Sequence, residues 1–309
     1  YYPIDWLPFV KSTFRVLNPA AIVLVEAEIW PNLFWQAKST NVPVHLINAR
    51  LSENSFTGYR RYAFLFKPLF RSLRAAGVHN ETDAERLAEL GCDRKAIIVT
   101  GNMKFDGTVT LDTDTLDARA LLREIGVPDE AAVLVAGSTF EGEEELLCKL
   151  LPQWRKEHPG LFLVLVPRHF ERASAVLENL KPLNLRIRRR TAMNAGAEKP
   201  DVLLVDTTGE LKAFYEVATL VFVGKSLTAQ GGQNPIEPAA LGRPMVFGPF
   251  MQNFKPVVQS LLAAKAAIQV KDESELARKV SVLLGNSEQC AALGMAARAV
   301  VEGNKGATQ

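Results

Sequence analysis

The sequence predicts an α/β protein of two units, each a parallel sheet covered by helices on both faces, and three observations carry that expectation. Short apolar runs of strand length alternate with helix-period segments along the whole chain. A polar stretch, Asp106 to Asp117, breaks the alternation with four aspartates and four threonines and reads as the connection between residues 1–110 and 111–309. Residues 221–238 read as a buried strand that runs through a glycine-rich turn into a helix opening on proline, the way a phosphate seat is built. At 309 residues and 48% hydrophobic content the chain can bury two cores. Ligands of such sheets sit beyond the carboxyl ends of the strands, and two such domains face one another across a cleft.

The elements follow in order. In the first part, the apolar run Ala21 to Val25 is a strand and Pro31, suited to a first helical position, opens a helix to Thr40. Val42 to Ile47 is a strand, Gly58 to Ala76 a helix that Pro68 would kink, Glu81 to Leu90 a helix and Ile97 to Thr100 a strand. Beyond the polar connection come the strand Val133 to Ala136, the helix Glu141 to His158, the strand Leu161 to Val166, a helix from Glu171 and the strand Val202 to Val205. The helix Gly209 to Val217, the strand Leu220 to Val223, the helix after Pro235, the strand Met245 to Phe247 and two final helices complete the chain.

Composition excludes several classes. The net charge of +2 argues against wholesale nucleic-acid binding. Cys92, Cys148 and Cys290 are odd in number, far apart and without histidine at metal spacing, so they read as small hydrophobes of a reducing compartment, with neither a disulfide framework nor a zinc site. No apolar run reaches the roughly 18 to 20 residues of a membrane span, and no signal peptide is visible. The sequence begins at Tyr1 rather than methionine, so either end can be a cut and an anchor can lie outside it.

Polar groups fall at the carboxyl ends of the strands. At the glycine turn, Gly231 and Gly232 permit close backbone approach, and the N–H groups of Asn234, Ile236 and Glu237 would face an anion at the positive end of a helix that Pro235 opens. Glu237 either complements the helix N-terminus or accepts two hydrogen bonds from a ribose diol. Pro167-Arg168-His169 follows a strand, which makes Arg168 either a phosphate-binding fork or a solvated strand end. Asp206-Thr207-Thr208-Gly209-Glu210 follows the strand Val202 to Val205 and offers hydroxyls and amides at a second helix start, or simple capping by Thr207 and Thr208. Ser138 and Thr139 end the first strand of the second part, and the acids that follow them read as ordinary first-turn residues. In the first part, Glu26 at the end of a buried strand is costly without a partner or a task, while Glu28 suits a structural role near the helix start. Lys104 lies at a similar rim near the junction. A carboxylate and an ammonium on a cleft wall suit an anionic sugar, although either alone also serves as a salt-bridge partner.

From Asn54 to Asn80 no acidic residue occurs, and Arg60, Arg61, Lys67, Arg71 and Arg74 interleave with Tyr59, Tyr62, Phe64, Phe66, Leu69, Phe70 and Leu73. Such a segment either faces an anionic membrane surface or is a core helix with a solvated basic face. A second cluster, Arg186, Arg188, Arg189 and Arg190, reads as a solvated strand end.

Five segments together resemble the 3-deoxy-D-manno-octulosonic acid (Kdo) transferases of lipopolysaccharide synthesis. They are Glu26-Ala27-Glu28-Ile29-Trp30-Pro31-Asn32, Asn48-Ala49-Arg50-Leu51-Ser52, Gly101-Asn102-Met103-Lys104-Phe105-Asp106, Pro167-Arg168-His169 and Gly231-Gly232-Gln233-Asn234-Pro235-Ile236-Glu237. The resemblance implies a GT-B glycosyltransferase of two Rossmann-like domains, the first incomplete here. It implies CMP-Kdo as donor, the lipid A precursor as acceptor, inversion at the anomeric carbon, no required metal or cofactor, and a place on the cytoplasmic face of the bacterial inner membrane. Carried over by motif, Pro167, Arg168, Thr208, Gly209, Glu210, Asn234, Pro235, Ile236 and Glu237 would hold CMP, and Glu26 and Lys104 would stabilise the transition state. The family's general base, a glutamate in a Ser-x-Gly-Glu motif, and its apolar N-terminal anchor are not found in residues 1–309, so this chain is expected to bind nucleotide without catalysing transfer. Lys225 stands where members often have glycine.

Other classes leave recognisable gaps. A dinucleotide-dependent oxidoreductase would show Gly-x-Gly-x-x-Gly after a strand, and none occurs. A nucleotide-sugar epimerase or hydrolase of the same fold shares the phosphate seat but leaves the Glu26 and Lys104 motifs unexplained. A nucleotide-binding fragment without turnover is the remaining alternative.

Overall fold

A computed structural model of the chain describes residues 4–26, 28–108, 116–193 and 198–306, so most of the polar connection lies outside the described residues. The chain divides into two compact units, Tyr1–Gly107 with Asn304–Gln309, and Thr108–Gly303. The return of the chain end to the first unit has a local cause, because the Gly306 N–H donates to Asp106 Oδ1 at 2.8 Å.

The first unit holds a parallel sheet in the order β1-β2-β3-β4, formed by β1 Ile22–Val25, β2 Val44–Ala49, β3 Leu73–Val78 and β4 Ile97–Val99. Helices Leu7–Leu17, Pro31–Ser39, Glu53–Arg61, Ala63–Phe70 and Glu81–Glu89 accompany it. Its core gathers Leu24, Phe34, Leu46, Phe70, Val78 and Leu87. Two helix starts are set by side chains that accept a backbone N–H three residues on, Ser52 from Ser55 and Asn80 from Asp83. The edge strands leave Val23, Val25, Ile98 and Val99 exposed.

One expectation fails in this unit, and one helix was not foreseen. The single helix Gly58 to Ala76 is instead two helices followed by β3. Leu73 and Ala76 have helical spacing, but both are buried in a strand paired on each side, and that pairing overrides the weak strand propensity of Ala75-Ala76-Gly77. Helix Leu7–Leu17 was not anticipated, although Val10 and Phe14, four residues apart, are its buried positions.

The second unit has a parallel sheet in the order β11-β10-β9-β5-β6-β8-β7. Its strands are β5 Val133–Thr139, β6 Phe162–Pro167, β7 Ile187–Arg189, β8 Val202–Leu204, β9 Leu220–Val223, β10 Met245–Phe247 and β11 Ile268–Gln269. Every residue of β6, β8, β9 and β10 is buried, as the continuous apolar runs predict for a sheet covered on both faces. The core packs Leu134, Leu147, Trp154, Leu163, Phe222 and Val246, and the Trp154 indole donates to the Ala277 carbonyl at 2.9 Å. The chain ends in three helices rather than the expected two, Lys255–Ala263, Glu273–Leu284 and Ser287–Glu302. β6 pairs with β5 on one side and β9 pairs with it on the other, so the winding of the sheet reverses between β5 and β9. In doubly wound sheets that reversal opens the ligand crevice.

Candidate functional site

The carboxyl ends of β8, β6, β5 and β9 stand side by side at one rim of the second unit. At its centre is a residue that sequence reasoning passed over. Glu143, expected to be an ordinary first-turn acid of helix Glu143–Glu157, is fully buried and accepts four backbone N–H groups. Its Oε2 takes Phe140 at 2.9 Å and Lys225 at 2.7 Å, and its Oε1 takes Ser226 at 2.9 Å and Leu227 at 3.1 Å. The carboxylate thus holds the turn after β9 against the end of β5. Glu144 is not a solvated helix residue either. Burial raises its pKa, opposed by Arg172 at 3.1 Å and the Thr139 hydroxyl at 3.0 Å. Both acids are buried because the rim closes over the start of their helix. Next to them, Gly224 must be glycine, since a Cβ there would lie 2.4 Å from the Ser138 carbonyl oxygen.

The glycine turn has the positive φ that its sequence predicts, but its amides do not face an open anion seat. Gly231 and Gly232 have positive φ, yet their close approach is to the chain itself, because a Cβ on Gly232 would meet Met251 Sδ at 2.5 Å. Their N–H groups are used internally, Gly231 to Gln252 Oε1 at 2.9 Å and Gly232 to the Lys225 carbonyl at 2.8 Å. Helix Ile236–Ala240 follows with Pro235 at its cap. The Ile236 N–H, expected to face an anion, instead donates to Asn234 Oδ1 at 3.0 Å. Asn234 Nδ2 donates to Glu237 Oε1 at 3.0 Å, so Asn234 fixes both the helix start and the acid.

Arg168 is exposed immediately beyond the buried Pro167, its N–H donating to the Thr139 carbonyl at 3.0 Å. Beyond β8, the Thr207 hydroxyl donates to Glu210 rather than capping the helix that starts at Leu211, and Arg190 Nε reaches the same carboxylate at 3.1 Å. Thr208 and Gly209 are exposed between them, Gly209 with a φ of 83°. The arginine cluster expected to be a solvated strand end is largely paired. Arg189 meets Asp206 at 2.6 Å, and Arg186 and Arg155 share Asp201. Burial alone would raise the pKa of Asp206, but hydrogen bonds from Thr191 and Arg189 hold it below the ordinary value. This network braces the loop that carries Thr208–Glu210.

The first unit has a comparable rim. Glu26 closes β1 with a φ of 62°, and its Oε1 lies 4.0 Å from Lys104 Nζ, both side chains about half exposed. Glu28 accepts from the Trp30 indole at 2.6 Å, a local structural bond. Between them sits Asn48, buried and with a φ of 53°, whose Oδ1 accepts from His79 Nε2 at 2.7 Å and from the Met103 N–H at 3.0 Å. It ties the ends of β2 and β3 to the segment that presents Lys104. Burial lowers the pKa of His79, so its imidazole is held neutral more readily than usual. Among the described residues no group of three histidine, cysteine or acidic side chains could hold a metal ion, and the three cysteines are buried and free.

Residues 1–107 match the model of a family described as 3-Deoxy-D-manno-octulosonic-acid transferase (kdotransferase). A 3-deoxy-D-manno-octulosonic acid transferase of Haemophilus influenzae is 32% identical over 311 residues, covering 100% of this chain and 72% of the relative. The chain belongs to the Kdo transferase family. It is therefore a glycosyltransferase by descent, and its two parallel α/β units are those of the GT-B fold. The crystal structure of the C-terminal CMP-Kdo binding domain of WaaA from Acinetobacter baumannii matches 59% of this Kdo-transferase chain and 98% of its own, with a TM-score of 0.53 and 29% identity. A putative UDP-N-acetylglucosamine 2-epimerase of Listeria monocytogenes matches 96% of this chain and 75% of its own, with a TM-score of 0.59; at 14% identity this likeness shows the fold alone.

Glu143, Asp206 and Asn48 were missed because their partners lie far away in sequence, 82 to 84 residues for the turn that Glu143 holds. The legible signal was an acid pair, Glu143-Glu144, directly beyond a strand end in Gly-Ser-Thr-Phe-Glu-Gly. Glu143→Ala leaves four donors without their acceptor and should destabilise the second unit by about 3 kcal/mol or more, and Glu143→Gln by about 1–3 kcal/mol. Urea unfolding with hydrogen exchange at 225–227 measures this; unchanged midpoints and protection would contradict it.

Proposed function

We propose that the chain supplies the donor and acceptor sites of the Kdo-transferring enzyme of lipopolysaccharide synthesis, in which Kdo moves from CMP-Kdo to a lipid A precursor (lipid IVA) with inversion and without a metal. The second unit takes the donor, and the first takes the acceptor. The observation that carries the reading is the meeting at one rim of Arg168, the Thr208–Glu210 loop and the braced Asn234–Glu237 segment. Pro167 and Arg168 offer an exposed cation and a fixed backbone at the end of β6. Thr208 and Gly209 expose a hydroxyl and an unhindered backbone, and Glu210 orders that loop through Arg190. Asn234, Pro235 and Ile236 shape the helix start, and Glu237 accepts hydrogen bonds from the ribose diol.

The chemistry follows from the donor. The acceptor hydroxyl oxygen forms a bond to the anomeric carbon while the bond from that carbon to the phosphate oxygen breaks, its electron pair leaving with CMP. Arg168 stabilises the charge that develops on the leaving phosphate, the part a metal plays elsewhere. The ring gains positive character, which Glu26 balances, and Lys104 neutralises an anionic group of the donor. A carboxylate base takes the hydroxyl proton; the family resemblance puts it in the Ser-x-Gly-Glu motif, outside these residues.

The acceptor is an anionic glycolipid, and the first unit carries a surface suited to it. Arg60, Arg61, Lys67, Arg71 and Arg74 are all exposed, beside Tyr62 and an 83% exposed Phe64. Arg74 stands on β3 rather than on a helix, and Arg60 also pairs with Glu89 at 3.6 Å. Among the described residues no helix is long and apolar enough to cross a membrane. Contact with the cytoplasmic face of the inner membrane through these exposed cations fits that surface.

Calorimetry should show CMP binding that survives chelation of divalent ions, and Glu237→Ala should weaken it by about 1.5–3 kcal/mol. Affinity lost on chelation, or left unchanged by the substitution, would count against the respective assignment. The full chain should co-sediment with vesicles containing anionic lipid but not with neutral ones. Combined Arg61→Ala and Phe64→Ala substitution should weaken that binding several-fold, with each exposed cation contributing about 1 kcal/mol. Equal binding to both vesicle types would remove the membrane assignment.

A further inference from the structure

Beyond the residues already given a task, Lys225 is a cation held at the rim of the second unit with no ion pair among the described residues. Lys225 follows β9 with a φ of 51°, a left-handed conformation that glycine adopts freely and lysine at a cost. The turn enforces it from both sides. The Lys225 N–H is held by Glu143 Oε2 at 2.7 Å, and its carbonyl accepts from the Gly232 N–H at 2.8 Å.

That backbone directs the side chain across the opening between β5 and β9. Its Nζ lies 4.8 Å from the centre of the Phe140 ring, and its Cε passes 3.6 Å from where a Cβ on Gly231 would stand. The lysine stem therefore runs alongside Gly231 at van der Waals distance. Arg172 lies on the same ring, Cζ to centre 5.5 Å, but Glu144 neutralises it at 3.1 Å. Arg189 and Arg190 at this rim likewise hold Asp206 and Glu210. Lys225 alone of these cations has no carboxylate among the described residues. An ammonium set on an aromatic face, half-buried beside a second cation, has lost hydration that the ring only partly replaces, and an incoming anion would offset the remainder.

The neighbours fix the direction of that anion. Phe140 follows Thr139, whose carbonyl holds the Arg168 N–H, and Gly232 leads into Asn234 and Glu237. Lys225 and Arg168 thus flank the end of β5 from the adjacent strands β9 and β6. We propose that Lys225 is a second anion-binding cation of the donor site, contacting the phosphate of the nucleotide or the carboxylate of its sugar acid. This rests on the reading of the rim as the CMP-Kdo site and adds to it a contact that glycine at this position would not supply.

Lys225→Gly is the informative variant, because a φ of 51° suits glycine and the turn is retained. The affinities of the full chain for CMP, CMP-Kdo and uncharged cytidine are measured by calorimetry for wild type, Lys225→Gly and Lys225→Arg. The glycine variant should bind CMP-Kdo about 5- to 30-fold more weakly, cytidine equally well, and Lys225→Arg should retain most of the affinity. The same loss with CMP assigns the contact to the phosphate; a loss with CMP-Kdo alone assigns it to the sugar carboxylate. Wild-type affinity of the glycine variant for both anionic ligands would overturn the proposal, as would an equal loss for cytidine. Wild-type protein that binds neither CMP nor CMP-Kdo would overturn the donor assignment, and this proposal with it.

Discussion

A single buried carboxylate organises the strand-end rim of the second unit. Glu143 has no exposed surface and four backbone donors, three of them consecutive amides of the turn after β9. Such a group is tolerated in the interior only while those donors converge on it, and the donors are ordered only while it is there. The turn in question carries Lys225, holds Gly232 through its carbonyl and so sets the path into Asn234 and Glu237. On the other side, Phe140 and Thr139 connect the same carboxylate to Glu144, Arg172 and the Arg168 backbone. The proposed phosphate and ribose contacts therefore depend on an acid that need not touch the ligand.

The two units share a principle of construction. Each presents polar groups at the carboxyl ends of parallel strands, and each locks them with an internal hydrogen-bond acceptor, Glu143 in the second unit and Asn48 in the first. Each lock lies beside a rim residue of positive φ, Lys225 and Glu26, and Asn48 itself has one. Strained backbone of this kind persists only where neighbouring contacts over-determine it. The difference lies in exposure. Glu26 and Lys104 are about half exposed and 4.0 Å apart, a separation at which a solvated pair adds little to stability.

The sequence made the alternation of elements legible because buried parallel strands read as unbroken apolar runs, as Leu161 to Val166 and Leu220 to Val223 do. It misled where the strand is built from poor strand formers. Leu73–Val78 contains Ala75-Ala76-Gly77, whose state is decided by β2 and β4 on its flanks rather than by propensity. The candidate residues of the rim were legible by position, since Arg168, Thr208 and Glu237 lie in segments that follow strand ends in the chain. Their braces were not. Glu143, Asp206 and Asn48 act on segments 15 to 84 residues away, and one sequence carries no local mark of such pairings. The glycine pair shows the same limit. Its positive φ was readable, whereas its packing against Met251 required the fold.

Hydrogen–deuterium exchange of the full chain with and without CMP tests the central claim, that the rim of the second unit is the donor site. Slowed exchange is expected in the segments 138–143, 167–169, 207–210, 224–227 and 232–237, which meet only through the sheet order of that unit. Protection that leaves these segments unchanged, or that is confined to residues 4–106, would contradict it.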